Sequence, residues 1–474
     1  MLSVLQISDL HRSSSDPVTN AELVATVLHE HDRAMRRGMH PVRAIVVCGD
    51  VIQGCRLDTP NFEQELRDQY EIAVDLLMRL SRDLLDADMS RLIVVPGNHD
   101  VCWNTARSAM VEASDAEHED AFNLLQRPGT DYRWDWKNRK LFRIADAARY
   151  GARLDAYRRF FGDLYGGALP EAVNGEAWLF PVDDVLFVGF ESCLDTDCFN
   201  HAAAISADTI AQVAMGLRGR RARLRVAVWH HNIEGPPTTS DYLDQGCIRK
   251  LIYHGFRLGL HGHQHYAATA PVYIHTDRDE MMAVISAGSL CAGRRDLPPG
   301  RTRGFNFLVI DEDQHRAHVW SLAMDMEARV QPEYVFNGGS AEREVSWTKA
   351  LTDTMAIDDA RVAILEAERA KHEGRTADAV GILVPHLSDL GVYGRSLLIE
   401  LLLAQGALDE VLRLVGQHLD PEEVPLVISA MIAARRSADA EMLLDQYREV
   451  LVPDAIIFFR ERLRLLEAGV NNGR

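Results

Sequence analysis

Hydrophobic residues in the first two-thirds of the chain form short continuous runs, separated by amphipathic stretches. Fully apolar runs of this length are typical of strands buried on both faces. The stretches Asn20–Arg37 and Phe62–Leu85 have the apolar spacing of amphipathic helices. This alternation predicts an α/β layered core up to about residue 325. The predicted strands are Val4–Ile7, Ala44–Cys48, Leu92–Val95, Val185–Phe190, Val226–Trp229, Leu258–Leu260, Ala283–Ser286, Phe305–Ile310 and His318–Leu322.

Residues 101–180 interrupt this pattern with a polar, aromatic stretch, which we interpret as a helical cap inserted over the core. Within it, the window Tyr132–Arg143 carries five cationic residues and one aspartate. We therefore consider Arg133, Trp134 and Trp136 as candidate contacts to a nucleic-acid strand, through base stacking and phosphate binding. The alternative is a helix that packs its tryptophans on the core and exposes its cationic face to solvent.

The last quarter of the chain has only helical periodicity. It contains three similar segments, and their shared residue is Asp378, Asp409 and Asp439. This spacing is close to the period of tetratricopeptide (TPR) arrays. We predict a TPR-like helical domain over residues 358–474, after a linker over residues 326–357, with an ordinary helical bundle as the alternative.

Composition narrows the class of protein. Hydrophobic residues make up 47% and charged residues 26% of the 474 residues, which is typical of globular chains. The formal charge of −19 argues against nucleic-acid binding through the overall field, although a local basic groove is compatible with it. The sequence has no apolar run long enough for a membrane span, no basic start of an export signal and no CxxC pair. These features predict a cytoplasmic protein with reduced cysteines.

Polar motifs follow five of the predicted strands. In open α/β sheets, ligands bind beyond the carboxyl ends of the strands, so one site could collect all five motifs. The alternative is that the individual motifs are ordinary turns, since Asn and Gly favour turn geometry. The motifs are Asp9-Leu10-His11, Gly49-Asp50, Gly97-Asn98-His99-Asp100, His230-His231 and Gly262-His263-Gln264-His265.

The donor atoms of these motifs indicate a metal site. Carboxylate, amide and imidazole ligands suit Mn, Fe, Zn or Ni better than an all-oxygen calcium site or a thiolate zinc site. An aspartate can bridge two cations, and two cations about 3.5–4 Å apart clamp the attacking and leaving oxygens of a displacement at phosphorus. They also lower the pKa of bound water toward roughly 7. The set therefore favours phosphoester hydrolysis.

The five motifs, in this order, resemble those of the calcineurin-like metallophosphoesterase superfamily, in its phosphodiesterase or exonuclease-like branch. The resemblance covers residues 1–325 and implies a four-layer α/β/β/α sandwich with two divalent ions, Mn being favoured. It assigns His99 to proton donation or phosphorane stabilisation and Asp100 to orienting His99. It assigns Asp9, His11, Asp50 and His265 to one metal, and Asp50, Asn98, His230 and His263 to the other, with Asp50 bridging.

Many members of the phosphodiesterase branch have His-His-Pro at the fourth motif, where this chain has His230-His231-Asn232. Either imidazole could be the ligand, and we expect His230 because it directly follows the strand.

The resemblance implies a phosphodiesterase acting on nucleotides or nucleic acid, similar at the motif level to both cyclic-nucleotide phosphodiesterases and DNA-repair exonucleases. One alternative is a phosphomonoesterase, including a protein phosphatase whose helical repeats recruit the target. Another is a catalytically idle scaffold. In each case the C-terminal helical region is a candidate for binding a protein partner or for self-association.

Overall fold

A computed structural model describes most of the chain. The described residues are 1–125, 130–217, 219–235, 241–273, 280–334, 336, 338–349, 359–414, 419, 423–451 and 453–471. They divide into two compact units, residues 1–353 and 354–474.

The strands are β1 Leu2–Ile7, β2 Ala44–Cys48, β3 Leu92–Val95, β4 Met110–Glu112, β5 Tyr132–Asp135, β6 Lys140–Ile144, β7 Glu171–Val173, β8 Ala177–Val182, β9 Val185–Phe190, β10 Leu224–Val228, β11 Phe256–His261, β12 Ala268–Tyr273, β13 Met281–Ser286, β14 Arg303–Asp311, β15 Arg316–Met324, β16 Val330–Pro332 and β17 Glu342–Ser346. Every strand predicted from an apolar run is present, with ends displaced by no more than two residues.

The α-helices of the first unit are α1 Asn20–Arg36, α2 Phe62–Leu84, α3 Trp103–Ser108, α4 Asp115–Glu119, α5 Ala121–Leu125, α6 Ala147–Gly151, α7 Asp155–Tyr165, α8 Ala207–Gly216 and α9 Gln245–Tyr253. The second unit has α10 Asp359–His372, α11 Thr376–Leu383, α12 Gly391–Ala404, α13 Leu408–Leu414, α14 Val424–Ala433, α15 Ser437–Gln446 and α16 Pro453–Asn471. Short 3₁₀ helices occur at Met89–Arg91, Asn98–Asp100, Ala152–Leu154 and Val384–His386.

Two seven-stranded sheets form the first unit in the described residues. One has the order β16-β15-β14-β1-β2-β3, with β17 also paired to β15. In it, β1, β2 and β3 run parallel, whereas β14 is antiparallel to β1. The other has the order β12-β13-β11-β10-β9-β8-β7, with β9, β10, β11 and β13 parallel. Parallel strands bring their carboxyl ends to the same edge of a sheet, and this edge carries the candidate site.

The first unit has the four layers expected of the α/β/β/α sandwich. Apolar side chains of α1 and α2 pack with the first sheet in a core that also reaches the facing side of the second sheet. Along the second sheet the side chains alternate, so that Phe187 and Val226 belong to this inner core. Their neighbours Val188 and Ala227 pack on the opposite face with α8 and α9. The period of two shows why continuous apolar runs predicted these strands.

The inserted segment differs in part from the expected helical cap, because it also contains the three-stranded sheet β4-β6-β5. The window Tyr132–Arg143 is a β-hairpin rather than a helix. Side-chain burial alternates along β5, and the carboxylate of Asp135 accepts the backbone N–H groups of Lys137 and Asn138 in the turn. Aromatic residues at alternate positions favour strands, and an Asp-anchored turn favours a hairpin.

The segment expected as a linker also differs from the expectation. Within residues 326–357, Val330–Pro332 and Glu342–Ser346 pair with β15 and extend the first sheet. Both are short edge strands with partly or fully exposed side chains. Neither contains a long apolar run from which a strand could be predicted.

The second unit is helical, and its helices form consecutive pairs. The turns after α10, α12 and α14 contain a residue with positive φ, namely Gly374, Gly406 and Arg435. The recurring aspartates lie in the first turn of the helix that follows each of these turns. A carboxylate there interacts favourably with the helix dipole. Its recurrence about every 30 residues follows from the recurrence of one helix pair over that length. The assignment to the TPR class remains a prediction.

No helix among the described residues combines the length and the apolar character that crossing a membrane requires.

Candidate metal centre

Strand ends position the candidate metal ligands. Asp9 follows β1 and Asp50 follows β2, whereas Asn98 follows β3 in the first sheet. His230 follows β10 and His263 follows β11 in the second sheet. Because these strands are parallel within each sheet, the motifs converge where the carboxyl ends of the two sheets face each other.

Several of these residues have a backbone conformation that side chains normally disfavour. A positive φ is uncommon outside glycine, and such strain is concentrated at functional sites. Backbone hydrogen bonds hold two of them, from Asp9 N–H to the Gly49 carbonyl and from His11 N–H to the Asp50 carbonyl, both at 3.0 Å. The residues are Asp9 (50°), His11 (42°), Asp50 (50°), His263 (69°) and His265 (58°).

Two motif glycines are required by close approach. A Cβ atom at Gly97 would lie 2.2 Å from Asp50 Oδ1. A Cβ atom at Gly49 would lie 2.5 Å from the imidazole of His230, and φ at Gly49 is +86°. The glycines of the Gly-Asp and Gly-Asn-His-Asp motifs therefore allow the ligand side chains to converge.

One cluster brings together Asp9, His11, Asp50 and His265, with one ligand atom from each within 4.8 Å of the others. His265 Nε2 lies 3.1 Å from Asp9 Oδ1 and 3.2 Å from His11 Nε2. His11 Nε2 is 3.8 Å from Asp50 Oδ2. All but His265 are buried.

A second cluster shares Asp50. His230 Nε2 lies 3.3 Å from Asp50 Oδ2 and 2.9 Å from Asn98 Oδ1. His263 Nδ1 lies 3.0 Å from the same amide oxygen. Asp50 Oδ2 therefore faces an imidazole of each cluster, which is the position that a bridging carboxylate requires.

The hydrogen bonds of the imidazoles show that both clusters suit cations. Nδ1–H of His230 donates to the Cys48 carbonyl and Nδ1–H of His265 donates to the Asp296 carbonyl, each at 2.7 Å. In the neutral rings, Nε2 then carries a lone pair, and it faces another acceptor, Asn98 Oδ1 or Asp9 Oδ1. Facing acceptors are stabilised by a cation between them, and a carbonyl that fixes the tautomer is typical of metal-binding histidines.

Electrostatics favour positive charge at the same place. Burial lowers the pKa of His230, but the carboxylate of Asp50 outweighs it and raises that pKa to about 9. Burial also lowers the pKa of His265, but the carboxylate of Asp9 outweighs it and raises that pKa to about 9. Although burial alone raises the pKa of Asp50, His230 and His99 hold it well below its usual value. The centre therefore holds anionic carboxylates that attract cations.

The structure distinguishes the two adjacent histidines of the fourth motif. His230 points to Asp50 and Asn98, as expected. His231 Nδ1 instead lies 2.8 Å from the hydroxyl of Ser192. Its buried Nε2 has no hydrogen-bond partner among the described residues.

His99 and Asp100 have different environments. His99 Nδ1–H donates to the Gln53 carbonyl at 2.7 Å, and its ring packs edge-on against His11 with centroids 4.6 Å apart. The Asp100 carboxylate does not orient this ring, contrary to the expectation. It accepts the backbone N–H groups of Gly97 and Val51 instead, because the 3₁₀ turn directs it back under the loop. Asp100 thus shapes the motif backbone, and Gln53 orients His99.

The three candidate nucleic-acid contacts of the insertion, Arg133, Trp134 and Trp136, differ in how accessible their side chains are. Arg133 is buried, and its guanidinium donates to Asp197 Oδ2 at 2.6 Å, so it is not available as a strand contact. Trp136 lies at the hairpin tip with 83% of its surface exposed, and its ring is edge-on to Trp134 with centroids 6.3 Å apart.

Sequence reasoning missed two residues next to the centre. Ser192 positions His231, and Asp241 Oδ2 lies 3.5 Å from His263 Nε2. Neither belongs to a strand-end motif, so only the fold could identify them.

Comparisons with known proteins identify the family. The model of the calcineurin-like phosphoesterase family matches residues 2–267. A search of curated proteins found no match. Among solved structures, the 5'-nucleotidase of Candida albicans SC5314 has 12% identity and a TM-score of 0.34, covering 69% of this chain and 52% of the nucleotidase.

Two further solved structures are similar at the same low level. YfkN, a calcineurin-like phosphoesterase of Bacillus subtilis, has 12% identity and a TM-score of 0.29, covering 78% of this chain and 98% of its own. Vps29 of Entamoeba histolytica, complexed with zinc, has 10% identity and a TM-score of 0.25, covering 73% and 99%. Since the family model spans more than half of the sequence, the chain belongs to the calcineurin-like phosphoesterases, a family of metal-dependent phosphoester hydrolases.

Proposed function

We propose that the protein is a phosphodiesterase that hydrolyses the phosphodiester bonds of nucleotides or nucleic acid with two divalent metal ions, Mn being favoured over Fe, Zn or Ni. The observation that carries the proposal is the position of Asp50 Oδ2 between two clusters of imidazole and oxygen ligands. Such a pair of sites suits an in-line displacement at phosphorus.

Each ligand has a defined place in this proposal. Two bound divalent ions would supply Lewis-acid polarisation of the phosphoryl oxygens and a nucleophile at neutral pH. Asp50 would bridge them, and the carbonyls that fix His230 and His265 keep their Nε2 atoms directed into the centre. One ion would be held by Asp9, His11, Asp50 and His265, and the other by Asp50, Asn98, His230 and His263.

His99 is the proposed proton donor to the leaving oxygen. Its Nδ1–H is held by the Gln53 carbonyl, so Nε2 is the nitrogen that can exchange a proton with substrate. His99 and His11 both line a cavity of about 740 Å³. A proton on His99 Nε2 would neutralise the alkoxide as the P–O bond breaks.

The cavity supports a substrate larger than a phosphate group. Its volume lies within the range of about 300–1,000 Å³ that is usual for small-molecule sites. Trp103, half-buried, lines one part of it and offers an aromatic surface to a base. Trp134 and Trp136 on the hairpin are the remaining candidates for stacking on a longer strand.

The direct test is hydrolysis of bis(p-nitrophenyl) phosphate, p-nitrophenyl phosphate and end-labelled oligonucleotides by the Mn-loaded protein. We expect the diester to be preferred to the monoester. Asp50→Asn should lose at least one equivalent of metal together with most of its turnover. His99→Ala should keep its metal and lose about 10²–10⁴-fold in kcat, as is typical for removal of a general acid.

Two outcomes would contradict the proposal. Unchanged turnover in Asp50→Asn would exclude the bridging role. A strong preference for the monoester would favour the phosphomonoesterase alternative instead.

For the helical second unit, we propose a protein partner or self-association. It exposes apolar side chains of α16, Ile457 and Phe458, with 67% and 55% of their surfaces accessible. Sedimentation of Ile457→Ser/Phe458→Ser against the wild type tests self-association, and an unchanged monomer in both would exclude it.

A further inference from the structure

The cavity next to the candidate metal centre is lined by three exposed arginines, Arg56, Arg294 and Arg295, which we call the cavity arginines. Among the described residues, none of the three forms an ion pair. Exposed arginines elsewhere in the first unit commonly do, as Arg220 does with Glu171. Other exposed arginines in the described part of the first unit, such as Arg149 and Arg221, also form no ion pair. The cavity arginines differ from these because all three line one cavity.

Among the described residues, the acidic groups of the same cavity form no ion pair with these arginines. Asp16 binds the buried guanidinium groups of Arg12 and Arg303, at 3.0 and 3.2 Å. Glu65, which accepts a hydrogen bond from Gln69, and Asp296 are the two exposed carboxylates of the lining, and the three cavity arginines outnumber them. The cavity arginines thus give the lining a cationic surface that an anionic group can bind.

The turn that carries Arg294 and Arg295 is fixed against the metal centre. His265, a candidate metal ligand, donates from Nδ1–H to the Asp296 carbonyl at 2.7 Å. Just before the turn, the carbonyls of Cys291 and Ala292 accept from the buried Arg303, at 2.8 and 2.9 Å. The two arginines therefore project from a backbone whose position is linked to the ligand shell.

The turn that carries Arg56 is fixed in a similar way. The Arg56 carbonyl accepts from the side-chain amide of Asn104 at 2.9 Å. Gln69 binds both backbone groups of Gly54, accepting its N–H at 2.9 Å and donating to its carbonyl at 3.2 Å. The neighbouring Gln53 carbonyl holds the ring of His99. Because the backbone of both turns is held, binding has to order only the arginine side chains and not the turns as well, which reduces the loss of conformational entropy.

We propose that the cavity arginines bind a second phosphate group of the substrate, while the phosphate undergoing reaction occupies the metal centre. The inference rests on the proposed function and makes it more specific, because a cyclic mononucleotide or a simple monoester has no second phosphate. Arginine matches phosphate through paired, charge-assisted hydrogen bonds. The second phosphate belongs to a neighbouring nucleotide of a strand or to a nucleoside polyphosphate.

Calorimetric titration of the Mn-loaded chain of 474 residues, at low salt, tests the inference without turnover. The probes are thymidine 5'-monophosphate, thymidine 3',5'-bisphosphate for the strand and thymidine 5'-methylenediphosphate for the polyphosphate. We expect one of the two-phosphate probes to bind at least about tenfold more tightly than the monophosphate, since a hydrogen bond to a charged group contributes on this scale. The probe that gains affinity identifies the source of the second phosphate.

The matched variants are Arg294→Gln/Arg295→Gln, alone and combined with Arg56→Gln. The control is Arg221→Gln, because Arg221 is exposed and precedes β10, at the end of that strand opposite to His230. The cavity variants should lose the preference and keep the affinity for the monophosphate, whereas the control should keep both.

The inference is overturned if wild type shows no preference, or if the preference survives loss of all three arginines. A preference in a protein that hydrolyses no diester would overturn only the proposed function. Diester hydrolysis without a preference would overturn only this inference.

Discussion

At the scale of single residues, the candidate site depends on which nitrogen of each imidazole is left to face the centre when the other donates to a backbone carbonyl. Backbone carbonyls of Cys48, Asp296 and Gln53 each accept an imidazole N–H, from His230, His265 and His99 respectively. Because these acceptors are main-chain carbonyls, which every residue has, the residue types at these positions do not reveal the hydrogen bonds. Orientation of the ligands is therefore encoded in the fold, although the ligand types are encoded in the motifs.

Neighbouring His230 and His231 give the sharpest test at this scale. His230→Asn should lose metal from the cluster with Asn98 and His263, because its Nε2 is directed at Asp50. His231→Asn should keep both metals, because His231 bonds to Ser192. Metal content after gel filtration measures both variants. Equal loss in the two would show that the ligand assignment of the fourth motif is wrong.

Glu191, at the end of β9, predicts a pH dependence of stability. Burial raises the pKa of Glu191 to about 7 from its ordinary 4.5. Between these values the folded state keeps a proton that the unfolded chain releases, so this residue lowers the free energy of unfolding as pH rises through that window. Glu191→Gln should match wild type near pH 4 and be about 3 kcal/mol more stable above pH 7.

Urea unfolding across this pH range measures the effect, with the exposed Glu119→Gln as the control. A Glu191→Gln variant whose stability follows wild type at every pH would show that Glu191 does not contribute.

Residue types, their order and the family resemblance predicted which side chains lie together, and the structure brings these side chains into two clusters. Their role as metal ligands stays a prediction. Prediction failed where a polar side chain found its hydrogen-bond partner in its own loop or in a distant part of the chain. Asp100 turned to the backbone of its own loop, and Arg133 paired with Asp197, a residue 64 positions away. Such long-range pairings carry no periodic signal.

At the scale of elements, the buried pair of Arg133 and Asp197 ties the hairpin β5–β6 of the insertion to the loop that follows β9. Removing one partner of a buried ion pair leaves an uncompensated charge, which typically costs about 3–5 kcal/mol. Arg133→Ala should therefore destabilise the insertion by a few kcal/mol. Trp136→Ala, at the exposed tip, should change stability by less than about 0.5 kcal/mol.

Hydrogen exchange of the amides of β5 and β6 separates the two variants. Equal protection in wild type and Arg133→Ala would contradict the anchoring role of this pair.

Elements with long apolar runs were predictable to within two residues, because burial on both faces of a sheet leaves little choice of residue. The hairpin at Tyr132–Asp135 and Lys140–Ile144 was not, since charged and aromatic residues there fit the exposed face of either a helix or a strand. β16 has three residues and β17 has one apolar residue among five, so neither contains the apolar run from which the other strands were predicted.

At the scale of the whole molecule, every candidate ligand lies in the unit of residues 1–353, which has its own core. A protein made of residues 1–353 should bind its metals and hydrolyse a model diester with kcat/KM within about twofold of the full chain. Metal content, turnover and near-UV circular dichroism check this. Loss of metal from a shortened chain that retains its tertiary signal would show that the second unit contributes to the centre.

The position of β1 in its sheet limits how early the first unit can finish folding during synthesis. β1 lies between β2, which follows it closely, and β14, whose Ile310 pairs with Leu2 across 308 residues of chain. The candidate metal ligand Asp9 therefore follows a strand that can pair on only one side until β14 has been synthesised. Contacts of such long range form late and slowly. A nascent chain that exposes β1 meanwhile offers an open strand edge, so chaperone binding should peak before residue 311 emerges and fall once β14 docks.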